Sequence, residues 1–211
     1  MTNTTNVPSS PFRIGVADLR EAERLAAEGL LVNLLLDVFV APDVRVDAAV
    51  RAAGLALALP AHLLGSGAVV TRHAAAWLWC GGPAPRYLDL AQTSVRSRAT
   101  GPGVVLHQCR VAAVDVTAIG GLPVTTPART AADLLRTGPP GQALAVLDDL
   151  ADRAGVTAGD VAASLERMPR MRGVAVARDL LARWVGLGPG PAAGPAADPS
   201  TGQSIRLPVT R

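Results

Sequence analysis

Few residues in this chain of 211 could do chemistry by themselves. The histidines are His62, His73 and His107, the cysteines are Cys80 and Cys109, and one acidic group, Asp148, Asp149 and Asp152, falls within five residues. A hydrolase needs Ser or Cys beside a positioned base and an acid. No nucleophile-elbow sequence accompanies these histidines, and His73 reads as structural. Asp148 and Asp152 stand four apart, so they share one helix face, but no His or Cys lies beside them to complete a metal site. The expectation is a solvated face and no metal. No glycine-rich phosphate loop ends in Lys-Ser or Lys-Thr. All 20 basic residues are Arg and none is Lys. A metal-dependent nuclease that supports its attacking water with lysine therefore cannot be assembled in its usual form. The sequence predicts no catalytic residues, no cofactor and no enzyme.

The two cysteines are too few for a disulfide framework and too isolated for a zinc knuckle, so both read as buried thiols. The leader MTNTTNVPSSPF lacks the basic and apolar regions of a signal peptide. No apolar run approaches the roughly 20 residues of a membrane span. A cytoplasmic protein is expected. Formal net charge is +3, and its distribution says more than its sum. Residues 1–65 carry five Arg against seven acids, whereas residues 66–110 carry five Arg against Asp89 alone. Residues 111–160 are acidic, and the remainder carries seven Arg against three acids.

The element that must position everything else lies at Gly120 to Arg136. Val124 and Thr125 are β-branched and favour a strand, Thr126 can cap a helix, and Pro127 suits a first helical position. From there Ala128, Ala131, Ala132, Leu134 and Leu135 form an apolar stripe, with Arg129 and Asp133 expected to pair outside it. Thr137 to Pro140 end the helix. Upstream, residues 16–28 read as a helix with Leu19, Ala22, Leu25 and Ala26 on one face, stopped at Gly29. Residues 30–40 read as a short hairpin. A helix then spans residues 47–59, a strand 68–70, and a helix 72–80 that Thr71 should cap. Strands are expected at residues 87–91, 104–109 and 115–119. Helices follow at residues 141–154, at 157–168 behind a Thr157/Asp160 capping box, and at 173–185. The mostly Ala, Val and Leu core calls for close packing of small side chains.

GLPVTTPARTAADLLR resembles a segment that recurs in actinobacterial antitoxins of the AbiEi family, associated with type IV toxin-antitoxin systems. Three further blocks match in order: RLAAEGLLVNLLLDVFVAP, GAVVTRHAAAWLWCGG, and ALAVLDDLADRAGVTAGDV with RGVAVARDLL. The resemblance implies an N-terminal winged helix that binds promoter DNA. It implies a nucleotidyltransferase toxin as functional partner, counteracted without a stable complex. The chain is not that toxin itself, since Gly65 and Ser66 lack the paired carboxylates that would follow. The resemblance further implies that this chain stops where longer relatives continue into an endonuclease-like domain. Here the wing carries Asp37, Val38 and Phe39 where relatives usually have Gly-Val-Tyr.

The expected architecture is α+β: a disordered leader at 1–11, a winged-helix-like segment with a linking helix at 12–60, an α/β domain at 61–185, and a disordered Gly/Pro/Ala-rich tail at 186–211. Arg20, Arg24, Arg72, Arg96 and Arg98 are the candidate nucleic-acid contacts. The expected function is a DNA-binding antitoxin and regulator; the alternative is a non-enzymatic protein-interaction module of the same descent.

Overall fold

The computed structural model describes residues 10–93 and 103–188. The chain is mixed α+β, with seven α-helices and sheets of three and five strands among those residues. The first sheet is built from β1 (Phe12–Arg13), β2 (Val32–Leu35) and β3 (Val38–Val40), in the order β1-β3-β2 with antiparallel pairing throughout. A short 3-10 turn (Val16–Asp18) and α1 (Leu19–Ala27) are inserted between β1 and β2. Ala22 of α1 is buried with Leu31 and Phe39, and Leu19, Leu25 and Ala26 pack around them. The apolar face read from the sequence is the one that packs.

The second sheet contains β4 (Val69–Val70), β5 (Leu88–Gln92), β6 (Val104–Gln108), β7 (Val116–Ile119) and β8 (Leu122–Thr125), in the order β6-β5-β4-β8-β7. β4 runs parallel to β8 and β5 parallel to β6, while the β4/β5 and β7/β8 pairs are antiparallel. β7 and β8 form a hairpin across Gly120 and Gly121, both at positive φ.

Between the two sheets lies α2 (Ala48–Ala58), capped by Asp47, whose side chain accepts from the Val50 amide at 2.9 Å. One core joins Leu34, Leu35 and Val38 of the small sheet to Leu55 of this helix and to Leu88, Leu90 and Val124 of the large one. Gly54 permits that approach, since a Cβ there would lie 2.5 Å from Leu34 Cδ2.

α3 (Arg72–Cys80) follows β4, and α4 (Pro127–Thr137) follows β8. The strand-to-helix switch is as the sequence predicts: Pro127 opens the helix and the Thr126 hydroxyl accepts from the Arg129 amide at 3.3 Å. α5 (Pro140–Ala154), α6 (Ala158–Glu166) and α7 (Val174–Leu187) then pack on α4. Their shared core contains Leu134, Leu135, Leu147, Leu150, Leu165 and Leu181. The Thr157/Asp160 capping box forms as expected, both reciprocal bonds being present. Its Asp160 carboxyl is held below the ordinary range by the Thr157 hydroxyl and amide.

Two local expectations are corrected. Arg129 and Asp133 do pair, at 2.9 Å, but inside the protein: they are 1% and 2% exposed. Thr71 occupies the cap position of α3, yet its hydroxyl bonds Asp133 Oδ2 at 3.2 Å rather than a helix amide. In both cases a buried carboxylate, which cannot be left unpaired, outcompetes the local arrangement. Residues 1–9 of the expected leader and 189–211 of the expected tail lie outside the described residues.

Candidate nucleic-acid interface

α1 presents Arg20, Glu21, Glu23 and Arg24 to solvent beside the β2/β3 hairpin. It ends in a turn that Gly29 closes with φ of 75°. Its nine residues span about 13 Å, and a major groove about 12 Å wide admits one helix. β1, α1, β2 and β3 place one exposed helix beside a three-stranded antiparallel sheet of order β1-β3-β2. The wing turn is tight, with Leu36 at φ 50° and the Asn33 side chain donating to the Leu36 carbonyl at 2.9 Å.

Electrostatics complicate this geometry. Arg24 Nε donates to Glu21 at 2.9 Å, and Arg24 Nη1 donates to Glu28. These carboxylates push the Arg24 guanidinium further up, while Arg24 in turn holds Glu21 below its usual range. All three groups are exposed, so water and salt screen the pairs. At the wing turn Asp37 accepts from Arg13 Nε at 2.7 Å. Residues 12–40 carry three Arg against five acids. Arg20 is exposed and makes no ion pair among the described residues.

Arg72 sits elsewhere, at the start of α3 beyond the end of β4, with a left-handed φ of 52°. A non-glycine residue in that region stores strain. The structure brings Arg20 and Arg24 together on one helix and leaves Arg72 on another, at the start of α3. Arg96 and Arg98 lie outside the described residues.

A larger set of uncommitted bases lies near the C-terminal helix. Arg170 and Arg172 precede α7, and Arg178 and Arg183 lie on it; all four are exposed, without ion pairs among the described residues. Asp179 is the single acid in residues 170–187. The sequence shows this patch plainly, although the five candidate contacts do not include it.

What the sequence does not show is a buried charge cluster on α4. Asp115, fully buried, accepts from Arg129 Nη1 at 3.2 Å, from Arg167 Nε at 3.1 Å and from Arg167 Nη2. Asp133 accepts from Arg129 Nε, from Arg136 Nε at 2.9 Å and from Thr71. Within this cluster Arg129 Nη2 is buried without a hydrogen-bond partner among the described residues. The only advance signal was the Arg129/Asp133 spacing. Arg129, Asp115 and Asp133 are shut off from solvent while the Arg167 side chain is 35% exposed, and the cluster ties α4 to the residue before β7, the residue after α6 and the cap of α3.

Both thiols are free and half-buried. Burial pushes Cys80 up to about 11, and burial also pushes Cys109 up, with Asp133 adding to it and Arg129 and Arg136 opposing. The acids Asp148 and Asp149 are engaged by the Trp184 indole at 2.6 Å and by Arg153 at 3.6 Å. Among the described residues no group of three His, Cys, Asp or Glu could hold a metal ion. Nor is any described helix long and apolar enough to cross a membrane.

Compared with protein-family models, the chain matches none. It likewise matches no curated protein.

Proposed function

We propose that the chain is a DNA-binding regulator of the AbiEi antitoxin type, using α1 as the helix that enters the major groove and the β2/β3 turn as the wing. One observation supports this reading: in the 12–40 segment an exposed helix stands beside a three-stranded antiparallel sheet that ends in a tight β2/β3 turn, as a helix followed by a wing requires. The four ordered sequence blocks supply the family assignment. Arg20 is the side chain available to phosphate, and Arg24 reaches one by exchanging its carboxylate partners for it. Arg72, Arg96 and Arg98 are the further phosphate contacts in this reading, each steepening the salt dependence of binding. The regulated operon would encode a nucleotidyltransferase toxin that the protein counteracts without a stable complex.

The test is a mobility-shift titration on the DNA upstream of its own gene, at several salt concentrations. Binding that weakens steeply with salt and is reduced by Arg20→Ala is the expected result. No shift at low salt, or a shift indifferent to salt, removes the reading.

One observation favours a second reading, a protein-interaction module: the carboxylates of Glu21, Glu28 and Asp37 already hold the nearest guanidiniums. Saturable binding of a purified protein partner through α1, with no DNA shift, selects it.

A further inference from the structure

A cleft of about 410 Å³ opens between α3, the loop of residues 81–87 and α5. That volume lies in the range of small-ligand cavities. Neither Arg20, Arg24 nor Arg72 lines it. Its apolar wall is formed by Ala76, Trp77 and Val146. At its edge stands Tyr87, 49% exposed, with the Arg86 guanidinium 5.6 Å from its ring centroid.

The charges in this cleft are unevenly matched. Two carboxylates reach it, and each has a base: Asp89 meets His107 Nε2 at 2.6 Å, and Asp149 meets Arg153 Nε at 3.6 Å. Arg153 also donates from Nη1 to the Cys80 carbonyl at 2.9 Å, which fixes its position. His73 and Arg86 line the same cleft, are exposed, and form no ion pair among the described residues. Each acid has a basic partner within the chain, the Asp89–His107 contact being ionic only when the imidazole is protonated, whereas Arg86 and His73 have no acidic partner among the described residues. A cavity with an apolar wall and a guanidinium without a carboxylate complements a ligand with an apolar body and one negative end.

We propose that this cleft binds a small organic carboxylate, its aromatic or branched aliphatic body against Trp77 and Val146 and its carboxylate between Arg86 and His73. A monoanion fits better than a phosphate dianion, because among the described residues lining the cleft Arg86 is the one permanent cation without a carboxylate, and Asp89 and Asp149 stand close by. Bidentate pairing with the guanidinium supplies orientation. The Cys80 thiol, held protonated by burial, takes no part. The site is independent of whether α1 binds DNA.

The experiment uses the full chain and three probes sharing one body: 4-phenylbutyrate, its neutral amide, and 4-phenylbutyl phosphate. The readout is the ¹H–¹⁵N indole signals of the three tryptophans. Trp79 and Trp184 donate to Thr125 O and Asp148, so Trp77 reports the cleft. The carboxylate should shift the Trp77 signal saturably, with the amide roughly tenfold weaker. Arg86→Gln, at an exposed position, should erase that tenfold preference while leaving amide binding unchanged, and Val146→Trp should abolish binding of all three. An amide as tight as the carboxylate, a preference that survives Arg86→Gln, or no saturable shift of Trp77 by any probe overturns the proposal. A phosphate tighter than the carboxylate overturns the monoanion assignment.

Discussion

α1 and α4 each carry an arginine bound by two carboxylates, one of them on the same helix at i+4, yet the two arrangements have opposite physical meanings. Arg24, with Glu21 and Glu28, lies in water. Arg129, with Asp133 and Asp115, lies in the core at 1% exposure. In the first case separating the charges costs little, because solvent takes up each of them. In the second, removing one member strands the others in a medium that cannot solvate them. The same contact is therefore exchangeable on α1 and permanent on α4. A ligand phosphate can compete for Arg24 and has no access to Arg129.

The sharpest break of this contrast is Arg129→Ala. It should cost about 3–5 kcal/mol, because Asp115 and Asp133 lose a buried partner; urea denaturation monitored by circular dichroism measures it. Gly173→Ala should follow closely. Gly173 sits at φ 84°, and a Cβ there would lie 2.2 Å from the Arg136 carbonyl oxygen, displacing α7 from the Arg136 end of α4. A loss of about 3 kcal/mol is expected from strain and displacement together. Thr126→Ala removes the hydroxyl that caps α4 and should cost about 1 kcal/mol by the same measurement. Asp160 tests the exposed limit by pH. Its folded value is depressed, so its contribution is present above the ordinary carboxylate range and disappears as pH falls through the depressed value. Asp160→Asn should therefore lower Tm at pH 7 and leave it unchanged near pH 2. Smallest of all, Arg24→Ala should leave Tm unaltered while changing the salt dependence of DNA binding. A Tm loss comparable to that of Arg129→Ala would erase the distinction.

Local chemistry explains which of these features could be read in the sequence. The switch at Val124–Pro127, the capping box at Thr157 and the buried face of α1 are decided by residues within four positions of one another, so they are legible. The fate of Arg129 is not, since Asp115 arrives from 14 residues upstream and Arg167 comes from α6. Parallel pairing of β5 with β6 is likewise a non-local outcome. For the candidate interface, residue types and helix faces were legible. The engagement of Arg24 by Glu21 and Glu28 was implicit in spacings of three and four, whereas the distance of Arg72 from α1 in the fold depended on sheet order.

The seam formed by α2 determines how the small sheet is mounted on the large one. With Gly54 pressed on Leu34 and Leu55 in a core that continues to β5 and β8, the hairpin has no slack relative to the large sheet. The pose of the hairpin on the large sheet is therefore set at Gly54, a position without a side chain, and whatever surface the small sheet offers a partner is oriented before the partner arrives.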